Sequence, residues 1–321
     1  MAPTWHELML DADAEARRRR RRTAYAVFTL GIVIVLTGVA LIAVPLTARW
    51  QASREQSDVI TQSEQTVSGW PWPQAEEALA AARAYNERLA RSGQPVLGEA
   101  IDPFARLDGE SSANDSDASK SSQDMEYQSL LNTGNGVMGS IRIPRISVNL
   151  PILHGTSTQV LEQGAGHLYG TSLPAGSADS HAVITGHRGL VQTLMFTRLD
   201  EMQVGDVFYI DVMGHTFGYR VDRISVIDPN DSSLLRVTPG EDRVTLMTCT
   251  PYGVNTHRLL VSGVRANIPQ DIPAEQDAPR DVRDAAWKIA AVCAAVTLLL
   301  WIPIARRNGW AVMRHASGNR P

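Results

Sequence analysis

The sequence predicts a mainly β domain, a barrel or a sandwich, placed between two apolar segments near the ends of a 321-residue chain. From about residue 130 to 268, short runs of alternating apolar and polar residues are separated by Gly, Pro and Asn turns. Closely spaced short strands of this kind are typical of all-β barrels and sandwiches. Before them, residues 74–91 (QAEEALAAARAYNERLAR) are rich in strong helix formers. We therefore expect a β domain with short helices and a helical N-terminal extension.

The two apolar segments predict membrane spans. Residues 23–47 contain no charged side chain and are long enough to cross a bilayer core of about 30 Å as a helix. The second segment, 286–305, is shorter and has Trp287 and Trp301 near its two ends. A cleaved signal peptide is the alternative for the first segment, and a buried core helix is the alternative for the second.

Charge predicts how the chain is oriented. Arg17 to Arg22 precede the first apolar segment, and Arg306 and Arg307 follow the second. Arginine clusters stay on the cytoplasmic side of a membrane, so both termini are expected in the cytoplasm and the region between the segments outside it. The formal net charge of −4 and the pI of about 6.1 give no reason to expect a nucleic-acid partner.

Cysteine usage draws attention to one side chain. The chain has two cysteines, and because Cys293 lies inside the second apolar segment, Cys249 is the only one in the outer region. An intramolecular disulfide there is impossible, and a free thiol outside the cell is at risk of oxidation. Cys249 is therefore either a buried structural residue or a catalytic nucleophile.

The surroundings of Cys249 suit a nucleophile. It ends the apolar run VTLMTC, and Pro-Tyr-Gly follows; a strand end holds a side chain rigidly while the adjoining loop leaves it reachable. Arg258 opens the next apolar run nine residues later, so the two strands should pair and bring Arg258 close to Cys249. The thiolate is the reactive form of cysteine, and a guanidinium beside it can also hydrogen-bond a developing oxyanion.

A cysteine nucleophile also needs a group that exchanges protons. His187 follows the run HAVIT at a glycine turn, whereas His257 is its rival because it precedes Arg258 directly. The residue pattern leaves the choice open among the six histidines of the outer region, which are His154, His167, His181, His187, His215 and His257.

These residues resemble those of the sortase family. Thr245 to Cys249 match the sortase TLxTC signature, Arg258 falls where sortases carry their catalytic arginine, and the Thr-Gly-His ending at His187 matches the segment with the sortase histidine. The resemblance runs from about residue 138 to 265. It implies a closed β-barrel of about eight strands, with Cys249, His187 and Arg258 as catalytic residues.

Further features resemble class C sortases. These enzymes have a helical extension, a lid loop before the barrel and a second membrane span, and their lid carries an Asp-Pro-aromatic motif. Here that motif is Asp102-Pro103-Phe104, which implies that Asp102 lies near Arg258 and Phe104 near Cys249. A Ser/Asp-rich insert at 109–124, soon after this motif, departs from the class C pattern.

The resemblance gives each part of the chain an expected role. The expected segments are a basic cytoplasmic N-terminus (1–22), a membrane helix (23–47), an extracellular stalk, helix, lid and linker (48–129), the catalytic barrel (130–268), a linker (269–285), a second membrane helix (286–305) and a cytoplasmic tail (306–321).

The implied activity is transpeptidation. An LPxTG-like sorting signal is cleaved between Thr and Gly, and its acyl group is joined to a pilin lysine, in the cell envelope of a Gram-positive bacterium. The implied partners are pilins, the membrane and a cell-wall precursor. No cofactor and no metal are expected, since no Cys/His cluster has ligand spacing. The alternatives are a housekeeping sortase that anchors proteins to peptidoglycan, a non-catalytic binding module and a cysteine protease.

Overall fold

The computed structural model describes residues 5–97, 120–189 and 194–268. Asp102 and Phe104 of the predicted lid lie outside these residues, as do the predicted second span and the linker and tail beside it. Contacts divide the chain into two compact units, Met1–Thr47 with Arg280–Pro321, and Ala48–Pro279. All contacts discussed below lie within the second unit.

The predicted barrel is confirmed as a closed barrel of eight strands in the order β1-β2-β3-β4-β7-β8-β6-β5. Neighbouring strands are antiparallel except for the pairs β2–β3 and β4–β7, which are parallel. The strands are β1 (Val137–Ile143), β2 (Val148–His154), β3 (Ala165–His167), β4 (Ser180–Thr185), β5 (Val207–Val212), β6 (His215–Ile227), β7 (Asp242–Thr250) and β8 (His257–Ala266).

Helices accompany the barrel, as the sequence predicts. The helix expected at 74–91 is α2, and Ser157 caps the short helix α5 by accepting a hydrogen bond from the backbone N–H of Val160. The helices are α1 (Trp5–Ser68), α2 (Gln74–Ser92), α3 (Lys120–Gln123), α4 (Met125–Ser129) and α5 (Thr158–Gln163), with 3₁₀ turns at Pro144–Ile146, Leu199–Glu201 and Ser233–Leu235.

Polar side chains attach the helical extension to the barrel unit. The buried side chain of Asn86 in α2 donates a hydrogen bond to the carbonyl of Leu173 (2.8 Å) and accepts one from the N–H of the same residue (2.7 Å). Near the end of α1, the buried hydroxyls of Ser63 and Thr133 are 2.7 Å apart. The segment predicted as a stalk is therefore helical to Ser68 and packs against the domain at its end.

The predicted membrane spans are not confirmed. Residues 23–47 lie inside α1, and the second span lies outside the described residues. In the part of the chain that the structure describes, no helix combines the length and the apolar character needed to cross a bilayer.

Two apolar clusters fill the domain, and they lie on opposite faces of the same strands. The larger cluster lies inside the barrel and includes Ile184 of β4 and Leu246 of β7. The smaller cluster includes Val183 of β4 and Met247 of β7. Because successive side chains of a strand point to opposite faces, this smaller cluster covers the outer face of the barrel at β4, β7 and β8.

Candidate active site

Cys249 and Arg258 face each other across two neighbouring strands. They are register partners in the antiparallel pair β7–β8, and directly opposite residues place their side chains on the same face of a sheet. Cys249 has no exposed surface and Arg258 is only 2% exposed. Both side chains are therefore shielded from solvent. The pairing predicted from their nine-residue spacing is confirmed.

His187 lies beside Cys249 on the other side. The parallel pair β4–β7 aligns Thr185 with Met247, and the Gly186 N–H donates to the Met247 carbonyl at 3.1 Å. The Thr248 hydroxyl in turn donates to the Gly186 carbonyl at 2.7 Å. Two residues beyond this last register pair, past the end of β4, His187 is level with Cys249. Residues at the ends of β4, β7 and β8 thus meet at one rim of the barrel.

The site belongs to the outer face of the barrel. Cys249 packs in the smaller apolar cluster with Met247 and Leu260, and Leu161 of α5 belongs to the same cluster. These side chains exclude water from the thiol. Low polarity strengthens the electrostatic interactions of any charge that develops there.

Backbone carbonyls fix the guanidinium of Arg258. Its Nη1 donates to the carbonyl of Asn255 at 2.8 Å and to that of His257 at 3.0 Å. Asn255 adopts a left-handed backbone conformation with φ of 61°, which Asn tolerates better than most residues. This turn aims its carbonyl at Arg258 and holds the guanidinium beside Cys249.

The environment of His187 favours a neutral imidazole. The residue is 4% exposed, and burial lowers the pKa of His187 below its ordinary value, an effect that the Glu162 carboxylate partly offsets. A buried imidazole gains a proton at low cost only when a negative charge forms nearby. A thiolate or an oxyanion at Cys249 would supply that charge, so His187 is suited to exchange a proton during a reaction there.

Phe196 holds the backbone of His187 and packs against the preceding Gly186. Its carbonyl accepts a hydrogen bond from the Phe196 N–H at 3.1 Å. The ring of Phe196 approaches Gly186 so closely that an added Cβ would lie 2.7 Å from it. Only glycine fits at this position, which explains why a glycine precedes His187.

The other histidines have different partners. His257 is beside Thr256, with 2.9 Å between Nδ1 and Oγ1, and 3.6 Å separates its Nε2 from Asp228 Oδ1. As the neighbour of Arg258 in β8, it lies on the opposite face from Cys249. The geometry therefore favours His187 over His257. The remaining four, His154, His167, His181 and His215, hydrogen-bond to carbonyls, hydroxyls or a carboxylate elsewhere in the domain.

The sequence reasoning missed three residues that build this site: Thr248, Asn255 and Arg188. Arg188 is buried, and its Nη1 donates to Thr250 Oγ1 at 3.1 Å and lies 3.4 Å from the Cys249 carbonyl. An arginine after a glycine turn looks like a surface residue in sequence, and no signal distinguished it. Among the described residues, no group of three or more His, Cys, Asp or Glu is arranged to hold a metal ion.

Comparisons with known proteins agree with this geometry. The sortase domain family matches residues 141–266. Sortase D of Bacillus subtilis is 29% identical over 130 residues, which are 40% of this chain and 63% of that protein. Sortase A of Streptococcus agalactiae is 30% identical over 128 residues, 39% of this chain and 51% of that protein. The chain thus spans less than two thirds of the length of these two curated relatives.

Solved structures match over a longer stretch. Sortase C1 of S. agalactiae is 38% identical, with a TM-score of 0.58, and the match covers 67% of this chain and 100% of that one. Sortase C of Streptococcus pneumoniae is 37% identical, with a TM-score of 0.56, over 67% of this chain and 100% of that one. The chain belongs to the sortase family of cysteine transpeptidases, and these structural neighbours are class C sortases.

Proposed function

We propose that this protein is a pilin-polymerising transpeptidase. It cleaves an LPxTG-like sorting signal between Thr and Gly and joins the acyl group to a pilin lysine, building covalent pili. The observation that carries the proposal is the meeting of Cys249, Arg258 and His187 at one rim of the barrel. Support for pilin substrates comes from the relatives, since the S. agalactiae sortase C1 belongs to a pilus island and the S. pneumoniae structure concerns pilin substrate specificity.

In the first half-reaction His187 takes the proton of the Cys249 thiol, and the thiolate that forms attacks the carbonyl carbon of the Thr–Gly bond. Arg258, held by two backbone carbonyls, donates a hydrogen bond to the oxyanion that forms. The C–N bond then breaks, and His187 gives its proton to the departing glycine amine. The products are a thioester on Cys249 and a free peptide with an amino terminus.

In the second half-reaction a lysine amine of another pilin attacks the thioester. His187 takes up the proton that the amine loses, and the Cys249 thiolate leaves. An isopeptide bond joins the two pilins, and the proton inventory of the site is restored. Because an amine must outcompete water for the thioester, the apolar surroundings of Cys249 favour transfer over hydrolysis.

A lid is part of the proposal. Cys249 has no exposed surface, so substrate entry requires a movement near it. Asp102 and Phe104 are the proposed lid residues, with Asp102 toward Arg258 and Phe104 toward Cys249, on the resemblance to class C sortases. Both lie outside the described residues.

The proposed location is the cell membrane, with two spans, both termini in the cytoplasm and the barrel outside. The charge pattern of the sequence supports this orientation. A membrane-held enzyme would meet membrane-held pilin precursors at high local concentration.

A housekeeping sortase, which anchors proteins to peptidoglycan, is the second candidate. Similarity to proteins named sortase A favours it, although the identity to the class C structures is higher, at 38%. The two candidates differ in the amine that accepts the acyl group, so the acceptor decides between them.

The test uses the full chain in detergent with a fluorescent LPxTG peptide. Two acceptors are offered in parallel, a lysine-containing pilin and a peptidoglycan crossbridge peptide, and products are identified by mass spectrometry. We expect an amide adduct with the pilin that disappears in Cys249→Ala and persists in the matched control Cys293→Ala. The double variant Asp102→Ala, Phe104→Ala should increase the rate.

Each other outcome rejects part of the proposal. An adduct with the crossbridge peptide alone would assign the housekeeping function. Hydrolysis without transfer in the presence of both amines would leave a cysteine protease. Peptide binding without any product, unchanged in Cys249→Ala, would leave a binding module.

A further inference from the structure

The structure assigns Arg188 a positioning role that nothing in the catalytic signature includes. We infer that Arg188 holds His187 level with Cys249 by linking the end of β4 to the end of β7 from behind. The inference rests on the proposed function, because it matters only if His187 and Cys249 exchange a proton.

The alternation of side chains places Arg188 on the reverse of the site. Thr250 follows Cys249 in β7, so its side chain lies on the opposite face from that of Cys249, and the guanidinium of Arg188 reaches that opposite face. On that reverse face the Arg188 Nη1 donates to Thr250 Oγ1 at 3.1 Å and reaches the Cys249 carbonyl at 3.4 Å. We therefore infer that Arg188 acts through the chain on either side of His187 and Cys249.

These contacts continue a ladder that the main chain has ended. The regular pairing of β4 with β7 stops at Thr185 and Met247. Beyond it, the Thr248 hydroxyl bonds the Gly186 carbonyl, and the Arg188 guanidinium makes the next rung to Thr250. Gly189, just after Arg188, also packs against the ring of Tyr252, and the Arg188 rung is the polar link between this segment and the end of β7.

Burying this arginine removes a charge from water, and its contacts within the described part of the chain leave one polar atom unpaired. The side chain is 4% exposed and pairs with Asp200, which is 39% exposed. Its Nε is buried without a hydrogen-bond partner among the described residues. A buried charge with incomplete pairing is weak support for stability, so the placement is better explained by the alignment that it imposes.

Arg198 provides a matched comparison on the same connection. Its side chain is 6% exposed, and it pairs with Glu201 within one turn through Nε (3.1 Å) and Nη2 (2.7 Å). Its ion pair therefore lies within the β4–β5 connection and does not link β4 to β7. Losing either arginine should lower stability, but only the loss of Arg188 should disturb the His187–Cys249 alignment.

The experiment compares Arg188→Ala, Arg188→Lys and Arg198→Ala, each in a full-length Cys293→Ser background that leaves one thiol. Peptide transfer gives kcat and KM, and thermal melts give the loss of stability. A misplacement of about 1 Å costs a catalytic group on the order of 100-fold in rate. We expect Arg188→Ala to lower kcat about 30- to 100-fold with KM within about twofold, Arg188→Lys to recover part of it, and Arg198→Ala to leave kcat within about threefold.

A second readout does not depend on turnover. The rate at which iodoacetamide alkylates Cys249 is measured against pH, which reports the thiolate. If Arg188 aligns His187, Arg188→Ala shifts the alkylation midpoint toward the value of about 8.5 of an unperturbed cysteine, and Arg198→Ala leaves it where the parent has it. An inactive parent that still shows this contrast would reject the proposed function and keep the inference.

The inference is overturned if Arg188→Ala and Arg198→Ala change kcat and the alkylation profile alike at equal loss of stability. It is also overturned if neither profile moves. Should Arg188→Ala fail to fold, Thr250→Val removes only the acceptor at the other end of the rung, and the same shift in alkylation, at reduced size, is expected of it.

Discussion

Strands β7 and β6 run through the same barrel, yet their surroundings differ. In β7 every residue from Arg243 to Cys249 is buried, on both faces, whereas burial in β6 is interrupted and Val226 is 59% exposed. The inner face of β7 packs in the barrel core, and its outer face packs in the smaller cluster with α5. The difference shows that the site lies at the end of a strand with both faces buried, so that Cys249 is held rigidly and is shielded from water.

The largest expected effect is on kcat. It should differ between two buried arginines that lie at opposite ends of the β7–β8 pair. Arg258 lies at the Cys249 end of β8, and Arg243, also buried, lies at the start of β7 and pairs with Asp222. Removal of one oxyanion donor typically costs about 10²–10³ in kcat. We expect such a loss from Arg258→Ala and a change of less than about threefold from Arg243→Ala, both measured by peptide transfer below their melting temperatures.

The same two variants also separate the effect of losing a buried arginine on stability from its effect on catalysis. Arg243→Ala removes the partner of two carboxylates, those of Asp222 and Glu241, so it should lower the melting temperature. If Arg258→Ala lowered the melting temperature as much and kcat no more than Arg243→Ala does, Arg258 would be a structural arginine.

The second expected effect concerns acid stability and the buried histidines. His167 and His181 are hydrogen-bonded as neutral imidazoles, and burial lowers the pKa of each to about 4. In the unfolded chain these groups bind protons near pH 6.5, so the folded state is favoured above that pH and loses stability as the pH falls from 6.5 toward 4. A shift of this size is worth on the order of 3 kcal/mol for each group.

Unfolding of the full chain, followed by urea titration at pH 7.5 and at pH 4.5, checks this prediction. His181→Gln should show a smaller drop in stability between the two pH values than the unmodified protein. His257→Gln, at a half-exposed position, is the matched control and should keep the full drop. Equal pH dependence in all three proteins would contradict the assignment.

Part of this site could be predicted from sequence because some of its contacts join residues close together in the chain, whereas others join distant strands. Cys249 and Arg258 are joined by a short connection between two consecutive strands, so their pairing follows from local pattern. His187 meets Cys249 only through the parallel pair β4–β7, which no periodicity in either strand indicates. The choice of His187 over His257 therefore depended on family resemblance, and the structure supplies the physical reason.

The cover of the outer face could not be predicted either. Met247 and Cys249 are buried by residues distant in sequence, among them Leu161 of α5 and Leu235. Their alternation in the sequence fits a strand with one buried face equally well. Arg188 is the extreme case, since only the fold reveals which strand its guanidinium reaches.

The third prediction tests whether the smaller cluster buries the outer face of β4. It compares the loss of unfolding free energy from the same Val→Ala change at a buried and at an exposed position. Val183 of β4 has no exposed surface and packs in the smaller cluster, whereas Val226 of β6 is 59% exposed. Burial is worth about 0.8 kcal/mol per methylene, and a cavity adds to the loss. We expect Val183→Ala to lower the unfolding free energy by about 2 kcal/mol and Val226→Ala by less than about 0.5 kcal/mol, in matched urea titrations. Equal losses would mean that the outer face is open.

The smallest effect concerns the turn that aims the Asn255 carbonyl at Arg258. Asn255 has a φ of 61°, and its Oδ1 is buried without a hydrogen-bond partner among the described residues. Glycine adopts this backbone readily, whereas a β-branched residue is strained there by roughly 1–2 kcal/mol. Asn255→Gly should therefore keep kcat within about twofold, and Asn255→Val should lower it about tenfold by shifting the carbonyl that holds the guanidinium. Peptide transfer at a common temperature measures both. If glycine were as damaging as valine, the Asn255 side chain would matter and not the backbone conformation that it permits.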